Sequence, residues 1–260
     1  MQIKAGGIDE DEYSRLKLFE WFDIEKVRKE KILVVGAGAL GNEVCKNLVL
    51  SGYKNIDIVD MDRIVKANLN RCIFFDEGDA ENGRYKAEIV AKKLRKLKRN
   101  AKIRYYVKRI EEMPENFIPS HNIVLGCVDS VEARLHINSN CYLFKIPYID
   151  GATHGQIGKV HVVIPPETSC LECGMNSTHS KILQKRFSCT GRDILYFEPK
   201  IASDINTTSI ISAIQVQEVL KITHGLRNYI RNIFYYDGRR NFSSIFELPI
   251  NKKCPNHNDK

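Results

Sequence analysis

The run Lys31-Ile-Leu-Val-Val35 leads straight into Gly36-Ala-Gly-Ala-Leu-Gly41, and no other junction in the chain constrains its fold as tightly. An unbroken apolar run of this length suits a strand buried on both faces of a parallel sheet. In a Gly-x-Gly-x-x-Gly turn the first glycine (Gly36) permits the bend. The second (Gly38) lets phosphates approach the backbone, and the third (Gly41) lets the next helix pack closely. A helix from Asn42 to Leu50, ending near Gly52, then reaches a second strand, Asn55-Ile-Asp-Ile-Val-Asp60. Together they form a βαβ unit. Phosphate oxygens meet free N–H groups at such a helix N-terminus, and Asp60, about 20 residues on, suits a ribose hydroxyl. Alone, the pattern fits NAD, FAD, S-adenosylmethionine or ATP.

The alternation continues. Asp23 opens a helix within a short helical arm, residues 1–30. A helix follows from about Tyr85 to Leu97, then strands at Ile103–Val107 and Asn122–Leu125, a helix at Val131–Tyr142 and a strand at Pro147–Asp150. This predicts an α/β fold, a doubly wound, mainly parallel, Rossmann-like sheet. After Gly151 the pattern changes to an antiparallel C-terminal extension. Gly158–Ile164 alternates up to Pro165-Pro166, residues 174–205 read as a crossover loop, and Thr207–Thr223 is a helix. Ile230–Tyr236 and Phe242–Leu248 read as closing strands. With no internal repeat and no low-complexity linker, residues 1–260 read as a single domain.

No apolar run reaches the ~18 residues that span a bilayer, and the Met1 region lacks the apolar core of a signal peptide. The expectation is a cytoplasmic protein without membrane contact. The formal charge is +8, but the lysines are spread along the chain, so nucleic acid is not the expected partner. The densest run, Lys92 to Arg99, reads most simply as a solvated helix face, with Leu94 and Leu97 as its apolar edge. The other reading is a docking surface for an acidic partner, RNA included. Eight cysteines in an intracellular chain point to metal or thiol chemistry rather than disulfides. Cys45, Cys127 and Cys141 sit in apolar contexts and read as core.

Beyond the second strand lie Asp62, Asn68, Asn70 and Arg71, and Gly83-Arg-Tyr-Lys86 opens the next helix. Arg71 and Lys86 are cations that a dinucleotide enzyme does not need but that cleavage of a triphosphate does. Asp129 lies just past an apolar strand, where a carboxylate could hold magnesium against phosphates. Asp62 could equally cap the following turn, and Arg134 could pair within the fold.

Cys170-Leu-Glu-Cys173 and Cys254-Pro-Asn-His257 each offer two ligands on one tight turn, the Cys₃His set of a structural zinc site that would staple the tail. Cys189, in Arg186-Phe-Ser-Cys-Thr-Gly191, is flanked by Arg186 and Arg192, which favour its thiolate.

These motifs, with Asp129-Ser-Val-Glu-Ala-Arg134 and Asp150-Gly-Ala-Thr-His-Gly155, resemble the adenylation domain of ubiquitin-activating enzymes and of the related adenylyltransferases for bacterial sulfur carriers. The resemblance covers nearly the whole chain. It implies ATP and Mg2+ as cofactors, Asp60 on the ribose, Asn70, Arg71 and Lys86 on phosphates, and Asp129 on the magnesium. Tyr13-Ser-Arg15 resembles the segment whose arginine reaches the partner subunit's triphosphate, which implies a dimer, with a homodimer favoured. Otherwise Arg15 is an ordinary residue of an amphipathic helix. Cys189-Thr190 resembles the catalytic dipeptide of these enzymes. The implied reaction is adenylation of the C-terminal glycine of a ubiquitin-like protein, then thioester formation on Cys189. The alternative is adenylation alone, for a sulfur carrier. Either partner would end in Gly-Gly, and a conjugating enzyme could follow. The chain departs from the family at Cys72, where glutamine is usual, at His257 in place of a fourth cysteine, and at Gly191-Arg-Asp193 after the dipeptide.

Overall fold

The computed structural model describes residues 9–175 and 202–257. In chain order its main elements are α1 (Ile24–Lys29), β1 (Lys31–Val35), α2 (Ala39–Leu50), β2 (Asn55–Val59), α3 (Glu77–Glu81), α4 (Lys86–Leu97) and β3 (Lys102–Tyr106). Then come β4 (Ile123–Gly126), α5 (Val131–Leu143), β5 (Tyr148–His154), β6 (Ile157–Val163), α6 (Ile205–Thr223), β7 (Ile233–Asp237) and β8 (Phe242–Phe246).

The strands form one sheet in the order β3-β2-β1-β4-β5-β6-β7-β8. Pairing is parallel from β3 to β5 and antiparallel from β5 to β8. Alternate residues of β1 serve two cores. Ile32 and Val34 pack with Val44 and Leu48 of α2, Val90 and Leu94 of α4, and Ile211 and Val219 of α6. Leu33 and Val35 pack with Ala133, Ile137 and Cys141 of α5 on the other face. Each buried aliphatic side chain contributes roughly 1.5–3 kcal/mol, which is why a strand covered on both faces reads as a continuous apolar run. The doubly wound, mainly parallel sheet with its antiparallel extension is as expected.

Helix α2 leaves β1 toward one face and α5 leaves β4 toward the other. The carboxyl ends of β1 and β4 therefore flank the crevice where open α/β sheets bind ligands.

Three local differences from the sequence reading have physical causes. Helix α2 starts at Ala39 with Gly38 as its N-cap, so Gly41 lies inside the first turn rather than before it. Strand β5 runs past Asp150 to His154, because residues beyond its ladder with β4 pair instead with β6 across Gly155, where φ is +58°. The short α3 has no apolar periodicity, and the Asp76–Asp79 capping box organises it. Among the described residues no helix is long and apolar enough to cross a membrane.

Candidate functional site

The glycine turn is a tight knot. Gly36 has φ +97°, and a Cβ there would lie 2.4 Å from the Cys127 carbonyl oxygen of the neighbouring strand end. A Cβ on Gly41 would lie 1.9 Å from the Gly36 carbonyl oxygen. At Gly38 a Cβ would meet nothing within 4 Å, so the space above the second glycine is open. The first N–H groups of α2 border that space, without intrahelical partners.

Asp60, just past β2, holds the turn. Its Oδ2 accepts the Ala37 N–H at 2.6 Å and its Oδ1 the Asp62 N–H at 2.7 Å. Burial raises its carboxyl above the usual range, opposed by the charge of Lys86 and by these two hydrogen bonds. Lys86 heads α4, mostly buried, and donates to Asp62 Oδ2 at 2.7 Å. Its backbone N–H also bonds the Asp62 carbonyl at 2.9 Å. Asp62 therefore positions Lys86 rather than merely capping a turn. Arg71 bonds the Ala67 carbonyl, and its Nη1 donates to Asn70 Oδ1 at 3.0 Å. Cys72 is buried under this group, and burial pushes its thiol up to about 11 against the charges of Arg71 and Lys86. Asp129 stands exposed beyond β4.

Sequence reasoning missed one brace, Asn42, and left a second, Arg134, as an open alternative that the structure bears out. Asn42, fully buried, donates to the carbonyls of Ala37 (2.8 Å) and Gly38 (3.0 Å) and accepts the Phe74 N–H at 3.1 Å. It ties the glycine turn to the segment after Arg71. A polar residue on the core face of an apolar helix was its only signal. Arg134 pairs with buried Asp150 and also donates to the Val128 carbonyl, and the Tyr148 hydroxyl donates to Asp150 at 2.9 Å. Arg134 thus fixes the loop carrying Asp129 from within the fold.

Arg15 lies elsewhere. Its guanidinium is exposed and pairs with Asp9 at 2.9 Å. The adjacent Tyr13 is buried against Gly52, at the end of α2 away from the glycine turn. Twelve helical residues, about 18 Å, separate those ends.

Cys170, Cys173, Cys254 and His257 offer four ligand atoms within 4.8 Å of one another. The Cys170 sulfur is 3.9 Å from that of Cys173 and 3.5 Å from that of Cys254, and Cys173 Sγ is 3.2 Å from His257 Nε2. Zn–S bonds of about 2.3 Å in a tetrahedron require ligand separations of about 3.8 Å, so the donor set fits zinc. The second ring nitrogen of His257 meets the Tyr142 hydroxyl at 2.8 Å, as an oriented ligand requires. Cys189, Arg186 and Arg192 lie outside the described residues, as does most of the 174–205 segment.

The ThiF family profile matches residues 11–256. The NEDD8-activating enzyme E1 catalytic subunit of Dictyostelium discoideum is 37% identical over 160 residues, which are 56% of this chain and 36% of that protein. SUMO-activating enzyme subunit 2 of the same organism is 37% identical over 151 residues, 57% of this chain and 22% of that protein. The chain thus spans about a third of the first relative and about a fifth of the second. Among solved structures, E. coli MccB with ATP superposes with a TM-score of 0.78 at 19% identity, covering 96% of this chain and 75% of that one. That likeness speaks for the fold. The profile match extends over nearly the whole chain, from the arm through the glycine turn to the cysteine–histidine cluster, and the chain belongs to the ThiF family.

Proposed function

We propose that the chain uses ATP to adenylate the C-terminal glycine of a ubiquitin-like protein and then carries that protein as a thioester on Cys189. The observation that carries the reading is the open space over Gly38, bordered by the first N–H groups of α2 and anchored by Asp60, with Lys86 held nearby on Asp62. The names of the two relatives, activating-enzyme subunits for NEDD8 and SUMO, support the choice of partner.

In this reading Asp60 accepts the ribose hydroxyls and the N–H groups of Ala39 to Gly41 meet phosphate oxygens. The carrier carboxylate attacks the α-phosphorus, and the oxygen bridging to the β-phosphorus leaves with pyrophosphate. Arg71, with Asn70 beside it, and Lys86 stabilise the charge that develops on those oxygens. Asp129 would hold a magnesium ion, which neutralises triphosphate charge when bound. Arg15 cannot span the length of α2 to its own site, which supports its action on the site of a second copy and hence a homodimer. The Cys189 thiolate then attacks the acyl carbon and AMP departs. A zinc ion on Cys170, Cys173, Cys254 and His257 would staple the tail to the start of the crossover segment. A conjugating enzyme would be the acceptor of the thioester.

A second reading is adenylation alone, for a sulfur carrier. The Gly191-Arg-Asp193 sequence after Cys189-Thr190 favours it, because the apolar and proline residues usual there are absent. Intact mass under non-reducing conditions separates the two. The chain is mixed with magnesium-ATP and a panel of Gly-Gly-ending ubiquitin-fold proteins. A carrier-sized adduct that reductant removes, and that Cys189→Ala lacks, supports the thioester. Pyrophosphate release without an adduct favours the second reading.

A further inference from the structure

The charge of this chain is concentrated in one segment. Residues 92–109 contain ten lysines and arginines and no acid, and the rest of the chain has thirty such cations against thirty-two acids. Along the sequence these cations fall into separate runs, one on the second half of α4 and one on β3. The fold brings both runs to one edge, because β3 is the edge strand of the sheet and α4 packs over one of its faces.

The joined surface has both charge and a ring. Lys92 and Lys96 stand at i and i+4 of α4, about 6 Å apart along the helix, Arg99 follows two residues past the helix end, and all three are exposed. Lys102 is exposed at the start of β3, on the strand face of Arg104 and opposite the α4-covered face of Ile103, so it borders the sheet edge from the other side. None of these four has an acidic partner among the described residues. Three of their cationic neighbours are engaged: Lys93 with Asp76 at 3.0 Å, Lys98 with Glu12, and Arg104 with Asp57 at 2.7 Å. A groove of about 290 Å³ between α3 and α4 is lined by Lys92, Lys96 and Arg84. The acids there, Asp76 and Asp79, already face Lys93 and Arg84. Tyr105 is 38% exposed at the sheet edge, with the Arg95 guanidinium 5.8 Å from its ring.

Protection of an edge strand explains only part of this, since one or two charges suffice and Arg95 already covers the Ile103 carbonyl. The helix stripe lies off that edge and needs another reason. A protein partner would call for an apolar centre depleted in lysine, and among the described residues this surface offers Leu97, 46% exposed, and the Tyr105 ring. Unpaired cations beside an exposed tyrosine suit phosphates and a stacked base.

We infer that the α4–β3 edge is a docking surface for the phosphodiester backbone of a nucleic acid. The inference stands apart from the adenylation site and does not require it. The test is fluorescence anisotropy of the full chain with a fluorescein-labelled 20-nucleotide single-stranded RNA, a DNA of the same sequence, and polyglutamate. A variant with Lys92, Lys96, Arg99 and Lys102 all changed to Gln is compared with a charge-matched control. The control changes the exposed Lys26, Lys29, Arg227 and Arg239 to Gln. The expected result is binding whose logarithmic salt slope is about −3, from four contacts at about 0.7 each. The belt variant weakens binding at least ten-fold and the control less than three-fold. RNA and DNA binding alike marks backbone recognition, and RNA alone marks the ribose as an added determinant. Absence of nucleic-acid binding, equal loss in both variants, or polyglutamate binding as tight as RNA overturns the inference.

Discussion

The Asp60 carboxylate accepts the Ala37 N–H at 2.6 Å, so the end of β2 and the glycine turn after β1 move as one unit. In the proposed reading this bond gives Asp60 two duties, shaping the turn and accepting the ribose hydroxyls. It also makes the three glycines separable by experiment, because only Gly38 has open space before it. Gly38→Ala is expected to fold with stability within about 1 kcal/mol of the parent, as at an unobstructed surface site, while its affinity for magnesium-ATP falls. Gly41→Ala drives a methyl into the Gly36 carbonyl and is expected to lose stability as well, by about 1–3 kcal/mol. Thermal unfolding with and without ATP, followed for both variants, checks the contrast.

Acid stability should depend on a buried cluster far from any catalytic role. Burial pushes the Asp57 carboxyl up, but hydrogen bonds from His121 and Arg104 outweigh it and hold the group below the usual range. Its folded pKa is therefore below the unfolded one. The carboxylate stabilises the fold above the unfolded value of about 3.9, and that contribution is lost as pH falls further. Asp57→Asn is expected to cost on the order of 2 kcal/mol at pH 7 and to flatten the acid limb of Tm against pH. An acid limb as steep as the parent's would rule this out.

The cysteine–histidine cluster predicts one zinc per chain by elemental analysis. Cys173→Ser or His257→Ala should reduce that stoichiometry and lower Tm by several degrees, at about 2–4 °C per kcal/mol for a chain of this size. The sheet should persist, since among the described residues the tail supplies only Cys254 to one of its two cores, with Leu248 packed against that core. Far-ultraviolet circular dichroism that collapses on chelation would contradict this.

Arg15 makes a prediction about assembly. If it completes the site of a second copy, Arg15→Ala and Asp129→Ala are each inactive alone, and mixing them regenerates one intact site per mixed dimer. Activity near a quarter of the parent's is the expected ceiling for free exchange, with half the dimers mixed and half their sites intact. No recovery on mixing, with subunit exchange verified, would return Arg15 to a surface role.

Where the sequence was legible, a local rule sufficed. The run Ile32 to Val35 reads as a two-faced strand, the glycine spacing fixes the turn, and the paired Cys-x-x-Cys and Cys-x-x-His spacing brings four donors together. What stayed hidden depended on distance in space. Arg134 finds Asp150 sixteen residues on, and Asn42 reaches Phe74 thirty-two residues on. Neither pairing leaves a periodic trace. Strand β5 hid its second half because Gly151, Ala152 and Thr153 take their strand geometry from β6 rather than from their own composition. Half of the basic belt, Lys92 to Arg99, was legible as a run; what stayed hidden was that the edge strand β3 lies beside α4.

The most direct test of the central claim is ATP–pyrophosphate exchange, measured with magnesium-ATP and a panel of Gly-Gly-ending ubiquitin-fold proteins. The account predicts exchange that requires one of these carriers. It predicts a fall of about 10²–10³-fold in Lys86→Ala, as for loss of one donor to a charged transition state, and retention in Cys189→Ala. Exchange that ignores Lys86, or no exchange with any carrier from a chain that binds magnesium-ATP, would contradict it.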